Sequence, residues 1–219
     1  VIFHLPKNVE LRGLLALKPD FKKRPLVIFR AGIFANTQEF YPERSLFMQM
    51  FEQSPFNLLL LESLSGVEFA QHNSSVSLGG FDEGLQNFLI AQQLQKSSEP
   101  LSKYISNVHL LAISMGGHGL MFATLLNQWN GGKTISSAMA FCPLLQFQET
   151  FDYHRSQGVS IEVMNLWATK RVREFGDKLS SVREDSFIQD ILTALERQRT
   201  EPLIGWPKSI RIAPEMSSY

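Results

Sequence analysis

The chain has 219 residues, which fits one domain or one domain with an insertion. Its 21 basic and 21 acidic residues give a formal net charge of zero, and no basic stripe is visible, which disfavours nucleic-acid binding. The apolar runs of the sequence are too short to cross a bilayer.

Two short β-like runs open the chain, and four buried strands are predicted after them. Residues 1–5 and 9–17 flank a turn and predict a hairpin. Continuous apolar runs then predict strands buried on both faces at 25–29, 56–61, 107–113 and 134–141. Such strands alternating with helices indicate an α/β fold with a mostly parallel sheet.

Helical patterns lie between these strands and again near the end of the chain. Residues 36–53 predict one helix, and a loop rich in Ser, Asn and Gly is predicted over 63–80. The next helix is expected to run to about Gln95, with Asp82 as its N-cap or first-turn acid. Further amphipathic helices are predicted over 160–175 and 187–195.

Ser114 lies at the junction between the third buried strand and an apolar helix. A serine held at a sharp strand-to-helix turn needs small residues two before and two after it, because larger side chains would collide with neighbouring elements. Ala112 and Gly116 occupy these positions. Such a turn would present the Ser114 hydroxyl above the sheet and direct the Met115 backbone N–H at an oxyanion.

A glycine-rich turn of this kind also occurs in nucleotide-binding folds. There, the N–H groups of Gly116 and Gly117 would face an empty phosphate-sized site. A serine enzyme instead predicts a positive φ at Ser114 and a cavity above it that faces residues 150–219. In either case Gly117 and Gly119 would allow the helix to pack closely on the strand.

The turn that follows the first buried strand, residues 29–34, together with the serine turn, resembles the α/β-hydrolase family. In that family the strand ends in a His-Gly-like turn that supplies a second oxyanion N–H. Here Ala31 and Gly32 stand in place of His-Gly, and a backbone donor does not require a particular side chain. The resemblance assigns the second donor to the N–H of Ile33, or to that of Phe34.

The resemblance covers residues 1–149 and implies an α/β-hydrolase-like core, with a mostly parallel sheet flanked by helices. The family commonly inserts a helical cap or lid after the strand that follows the serine turn. Residues 150–219 fit that place, and their alternative role is a peripheral helix pair packed on the sheet.

The family also needs a histidine base and a carboxylate that orients it, in the chain order serine, acid, histidine. Of the five histidines, only His118 and His154 follow Ser114. His118, four residues along the helix, is expected to pack or to form a hydrogen bond, and His154 is the weak candidate for the base. The resemblance implies that the acid and the base otherwise lie on a further C-terminal stretch.

The remaining histidines and acids are given other roles. His72 is expected in a loop that could overhang the site, whereas His4 and His109 are expected to be structural. Glu62 ends a strand and is interpreted as a structural carboxylate. Two further acids lie out of register for the triad, namely Glu149 and Asp152.

Cys142 is the only cysteine, so the chain has no internal disulfide and no multi-cysteine metal site. We expect it to be a small buried apolar residue. A single cysteine slightly favours a cytoplasmic setting, but Val1 is not a methionine and a preceding segment would change this reading, so the localisation stays unknown.

No His-x-x-x-His pattern is present, which disfavours a metal hydrolase, and no organic cofactor is implied.

The leading hypothesis is a serine hydrolase that cleaves an ester, thioester or related acyl bond in a small molecule through an acyl-enzyme on Ser114. The alternative is a non-catalytic α/β-hydrolase-like binding protein. A third reading is an acyltransferase, which forms the same acyl-enzyme and differs only in the acceptor. The sequence leaves the substrate and the oligomeric state open.

Overall fold

The computed structural model describes residues 1–32, 35, 42–73, 77, 79–146, 149, 152–153 and 156. The chain divides into two units, Val1–Leu145 and Gln146–Tyr219. All of the strands and helices given below belong to the first unit. The predicted helices at 160–175 and 187–195 lie outside the described residues, so the cap segment at 150–219 stays a prediction.

Six strands form one mixed sheet with the spatial order β1-β2-β4-β3-β5-β6. The strands are β1 (Ile2–Leu5), β2 (Val9–Ala16), β3 (Arg24–Arg30), β4 (Asn57–Leu61), β5 (Ile105–Ile113) and β6 (Ser137–Phe141). β1 and β2 form an antiparallel hairpin, and β2 also runs antiparallel to β4. β4, β3, β5 and β6 are parallel neighbours, which confirms the predicted mostly parallel sheet.

The helices are α1 (Pro42–Gln53), α2 (Val67–Asn73), α3 (Phe81–Gln95) and α4 (Met115–Trp129). α1 begins at a proline, whose fixed φ suits the first helical position. Asp82 lies in the first turn of α3, and Gly80 is the N-cap. The prediction of a continuous loop over 63–80 is wrong because α2 lies within it. This helix has only seven residues, and a segment this short shows too few apolar positions for a helical period to be recognised in the sequence.

The central strands β3 and β4 are buried on both faces, as predicted from their apolar runs. Side chains alternate between the two faces of a sheet, so each strand contributes to two separate cores. One core joins the sheet to α3 and α4 and includes Leu26, Ile28, Leu59, Ile90 and Leu120. The other joins the opposite face to α1 and includes Val27, Phe29, Phe47, Leu58 and Leu60.

β6 differs from its prediction because it is the edge strand of the described sheet. Met139 and Phe141 are 58% and 52% exposed, so the predicted burial on both faces is wrong for this strand. The next residue, Cys142, is also exposed, and the prediction of a buried cysteine is wrong. An apolar run identifies a strand but does not indicate its place in the sheet, which decides how much of it is covered.

Among the helices that the structure describes, none combines the length and the apolar character needed to traverse a bilayer.

Candidate active site

Ser114 is the single residue between the end of β5 and the start of α4. Its backbone has φ 56° and ψ −120°, a conformation that residues with a side chain rarely adopt. Holding a residue in such a conformation costs on the order of 1–3 kcal/mol and requires support from its surroundings. The positive φ at Ser114 is the conformation that the sequence predicts for a serine at this kind of turn.

Backbone hydrogen bonds on both sides of the turn supply this support. The Ser114 N–H donates to the carbonyl of Phe141 over 2.9 Å, at the end of the neighbouring strand β6. The Ser114 carbonyl accepts from the N–H of Leu144 at 3.2 Å and from the N–H of Gly117 at 3.0 Å. The turn is therefore bound to the end of β6 as well as to the first turn of α4.

Two glycines allow α4 to begin directly against the ends of the strands. A Cβ on Gly116 would lie 2.6 Å from the carbonyl oxygen of Ala31, and one on Gly117 would lie 2.9 Å from Cβ of Pro143. Both distances are shorter than van der Waals contact allows, so these positions require glycine. The Gly117 N–H is also taken by Ser114, which disfavours the nucleotide-binding alternative because that site needs free N–H groups.

The turn after β3 lies beside Ser114. A Cβ on Gly32 would be 3.5 Å from Cβ of Ser114 and 3.7 Å from its Oγ. The Gly32 carbonyl accepts a hydrogen bond of 3.3 Å from the N–H of Ala35, so the chain turns at this point. The structure thus brings the two sequence-predicted turns together. Ile33 and Phe34, the predicted donors, lie outside the described residues.

Met115 is buried and is the first residue of α4. The N–H groups in the first turn of a helix have no carbonyl partner within it, and the helix dipole gives this end a partial positive charge. The Met115 N–H therefore starts without an intrahelical partner, next to the Ser114 side chain. Such a group suits a developing negative charge on a bound carbonyl oxygen.

α3 approaches α4 closely through two further glycines. A Cβ on Gly84 would lie 2.5 Å from Cβ of Phe122, and one on Gly119 would lie 2.7 Å from Oε2 of Glu83. Gly119 was predicted to allow packing against the strand, but it faces α3 instead. The Glu83 side chain is therefore held against α4, the helix that follows Ser114.

A buried polar cluster, which the sequence analysis did not predict, lies behind the turn after β3. We call it the Arg30 cluster, and it consists of Arg30, Glu62, Glu83, Gln86 and Asn87, all 9% exposed or less. The Arg30 Nε donates to Oδ1 of Asn87 over 2.8 Å and lies 3.6 Å from Oε1 of Glu83. Its Nη1 donates to the Glu62 carbonyl, and its Nη2 donates to Oε1 of Gln86 over 3.4 Å.

Burial has the largest effect on the pKa values of the charged groups in this cluster. Removal from water raises the pKa of Glu83 to about 7, although the nearby Arg30 charge acts to lower it. Burial likewise raises the pKa of the Glu62 carboxyl to about 7, opposed by the hydrogen bond from the Arg12 N–H and by Arg30. The Glu62 Oε1 accepts that N–H at 2.5 Å, and its Oε2 has no partner among the described atoms. Burial also lowers the pKa of Arg30.

His118 and His109 both contact side chains other than that of Ser114. His118 stacks on the ring of Phe122 with 5.4 Å between ring centres, and partial burial lowers its pKa. His109 contacts Ser137 Oγ through Nδ1 at 2.7 Å and Asn107 Nδ2 through Nε2 at 2.8 Å.

Two histidines lie elsewhere on the surface of the first unit. His4 is an exposed residue of β1, and His72 is exposed on α2, not in a loop as predicted. His154, the candidate base, lies outside the described residues.

The carboxylates predicted near the site lie in different parts of the chain. Glu62 is buried at the end of β4, which fits its structural interpretation. Glu149 and Asp152 are exposed and belong to the second unit. Within the described part of the chain, no group of three or more His, Cys, Asp or Glu side chains could hold a metal ion.

The strand order, the parallel centre of the sheet and the helices on its two faces define an α/β-hydrolase-like fold. The chain aligns over 66% of its length with a fungal esterase structure from Rhizomucor miehei, with a TM-score of 0.52 and 11% identity. It aligns over 65% with the esterase Est22, with a TM-score of 0.50 and 15% identity.

At these identities the likeness establishes the fold, and the chain spans 43% of the length of each of the two proteins. The sequence matches no family profile. It also matches no curated protein.

Proposed function

We propose that this chain belongs to a serine hydrolase that cleaves a carboxylic ester, a thioester or a related acyl bond in a small molecule. The observation that carries the proposal is the Ser114 turn, with φ 56° directly before α4 and with Gly32 beside the hydroxyl. A fold maintains such a strained serine where the hydroxyl must be exposed to a substrate. The esterases of the same fold support this reaction class.

In the proposed reaction, Oγ of Ser114 attacks the acyl carbon while the hydroxyl proton passes to a general base. The carbonyl oxygen becomes an oxyanion, which accepts hydrogen bonds from the N–H groups of Met115 and Ile33. The bond from the acyl carbon to the leaving group then breaks, and the leaving group takes the proton from the base. Water attacks the acyl-enzyme, gives a proton through the base to Oγ, and releases the acid.

The general base is proposed to be a histidine beyond those that the structure describes. His118 stacks on Phe122, and His109 is bound to Asn107 and Ser137, so neither is assigned this role. His154 is the candidate within these 219 residues. If it is the base, His154→Ala should abolish turnover as completely as Ser114→Ala does.

The experiment for this proposal measures hydrolysis of p-nitrophenyl acetate by the purified full-length gene product. Ser114→Ala should lower kcat by about 10³-fold or more, because the acyl-enzyme can no longer form. The matched control is Ser106→Ala, since Ser106 is an exposed serine on β5 whose hydroxyl donates to Oδ1 of the neighbouring Asn107. Equal rates for wild type and Ser114→Ala would contradict the proposal and favour the non-catalytic binding protein.

The acyltransferase reading predicts a different product. An acceptor such as a primary alcohol would then take most of the acyl group from Ser114, and the acyl group would appear on the alcohol. A serine hydrolase would transfer the acyl group to water in preference to the added alcohol. Analysis of the acylated products by mass distinguishes the two readings.

A further inference from the structure

Arg30 connects the end of the central strand β3 to α3. Its guanidinium meets Glu83 and Asn87, which lie one helical turn apart on the same face of that helix, and the carbonyl of Glu62 at the end of β4. A guanidinium presents its donors in a fixed planar fork, so partners on α3 and at the end of β4 together hold it in one orientation. Arg30 is 1% exposed, so water does not compete for these bonds.

The backbone of the same residue contacts the start of α4. A Cβ on Gly116 would lie 2.9 Å from both Cβ and the carbonyl oxygen of Arg30. The next two residues, Ala31 and Gly32, form the turn that ends beside Oγ of Ser114. Any displacement of Arg30 along or across the sheet would therefore change the distance between this turn and Ser114.

Stability alone does not account for such a cluster. Burying a guanidinium has a large desolvation cost, and well-packed apolar side chains of similar volume often stabilise a protein equally well or better. What the charged cluster provides is a specific geometry, because each of its bonds has a required direction and length. An oxyanion donor acts only when its backbone N–H is held at a fixed place beside the reacting serine. The turn that carries such a donor therefore needs a fixed position.

We propose that Arg30 is a positioning residue, which together with Glu83 and Asn87 fixes the Ala31–Gly32 turn against Ser114. Its effect on turnover rests on the proposed function, because the turn leads to the second oxyanion donor. The positioning itself does not depend on that function and can be measured separately.

The test removes one bond of the cluster while leaving the charged residues in place. Asn87→Ser deletes the acceptor that lies 2.8 Å from Nε of Arg30. The matched control is Asn127→Ser, since Asn127 is also a buried helical asparagine and binds backbone groups of Thr134 and Ile135 before β6. Both variants lose buried amide hydrogen bonds, but only the first loses a contact to Arg30.

The first readout is hydrogen–deuterium exchange of the peptide that spans residues 30–35. We expect Asn87→Ser to accelerate exchange in this peptide about tenfold. The variant loses one buried hydrogen bond to Arg30, and local opening of the turn should become easier by the contribution of one such bond. Asn127→Ser should leave this peptide unchanged and accelerate exchange near residues 134–136. Equal exchange of the 30–35 peptide in the two variants would overturn the inference.

The second readout is the division between kcat and KM for p-nitrophenyl acetate. A displaced oxyanion donor acts on the transition state, so Asn87→Ser should lower kcat about tenfold or more and leave KM within about twofold. Asn127→Ser should keep both constants near the wild-type values. An Asn87→Ser enzyme with wild-type kcat would overturn the inference.

The test also remains decisive if the wild type is inactive or if Asn87→Ser fails to fold. If the wild type shows no turnover, the proposed function fails, and the exchange of the 30–35 peptide still decides whether Arg30 positions the turn. If Asn87→Ser does not fold, Gln86→Met removes the longer contact of 3.4 Å instead. It should change exchange in the same peptide in the same direction by a smaller factor, and no change would overturn the inference.

Discussion

Gly32 lies so close to Ser114 that a methyl group on its Cα would be 3.5 Å from Cβ of the serine and 3.7 Å from its Oγ. These are ordinary contact distances, so a side chain at residue 32 would fit beside the hydroxyl and cover one side of it. Among the described residues, no side chain from position 32 covers this side of the hydroxyl, because residue 32 is a glycine. The two turns that the sequence places 82 residues apart therefore form one surface.

Gly32→Ala should keep the fold and slow the reaction at Ser114. In the part of the chain that the structure describes, the added methyl group meets no atom closer than 3.5 Å, and φ of Gly32 is not in the left-handed region, so the free energy of urea unfolding should change by less than about 1 kcal/mol. Because the methyl group occupies the approach to Oγ, labelling of Ser114 by a fluorophosphonate should slow by about tenfold. A wild-type labelling rate in this variant would show that substrates reach the hydroxyl from another side.

The backbone strain at Ser114 predicts an unusual order of stability. The free energy of unfolding of Ser114→Gly should be about 1 kcal/mol higher than that of Ser114→Ala. Glycine relieves a backbone strain of about 1–3 kcal/mol, but its greater chain entropy in the unfolded state offsets up to about 1 kcal/mol of this gain. The control pair is Met121→Gly and Met121→Ala at an exposed position of α4, where glycine should be less stable by about 1 kcal/mol. The same order at both positions would contradict the strained turn.

The buried carboxyls predict a dependence of stability on pH. A carboxyl whose folded-state pKa is raised to about 7 holds its proton in the folded protein at a pH where the unfolded chain has released it. Its contribution to the free energy of unfolding is therefore complete below the unfolded pKa and is lost as the pH rises towards 7. Each such group can change this free energy by at most about 1.4 kcal/mol per pH unit.

Urea unfolding at pH 5, 6, 7 and 8 measures this dependence. The wild type should lose stability between pH 5 and pH 7, and Glu83→Gln should show a smaller loss because one of the two buried carboxyls, Glu62 and Glu83, no longer titrates. Glu52→Gln, at an exposed position of α1, serves as the control and should follow the wild type. An unchanged slope in Glu83→Gln would contradict the raised pKa of Glu83.

Cys142 should react rapidly with a thiol reagent in the folded protein. It is exposed and is the only cysteine, so one equivalent of Ellman's reagent should be consumed at a rate within about tenfold of that in urea. A buried cysteine would react only through unfolding and would be slower by several orders of magnitude. Protection of this size would contradict the exposed position at the end of β6.

The part of the site that depends on local backbone geometry could be predicted from the sequence. Ala112, Gly116 and Gly117 surround a serine at the end of an apolar run, and each of the two glycines avoids a specific collision. The strand assignments hold for a related reason, since apolar runs such as 56–61 identify strands that are covered on both faces.

The Arg30 cluster could not be recognised in the same way. Its partners lie 32 to 57 residues from Arg30 along the chain, and charged residues are most often interpreted as exposed. One signal was present, because Glu83 and Asn87 fall on the same helical stripe as the buried Ile90 and Leu94. Two polar residues in an apolar stripe indicate a buried partner, although the sequence does not say which residue it is.

The burial of β6 depends on its place in the sheet and on the elements that cover it. The composition of the strand does not indicate either of these. The run from Ser137 to Phe141 is as apolar as that of a central strand. It nevertheless forms the edge of the described sheet, with Met139 and Phe141 exposed. Strand order follows from long-range pairing, which residue patterns within one strand do not encode.

Intact-mass spectrometry after covalent labelling tests whether Ser114 is an activated nucleophile. The full-length gene product is treated with a fluorophosphonate and its intact mass is recorded, beside an identical sample of Ser114→Ala. An activated Ser114 should give a single adduct, in which Oγ has replaced fluoride on phosphorus, and the variant should give none. A folded wild-type protein that gains no mass, or a Ser114→Ala protein that gains the same mass, would contradict it.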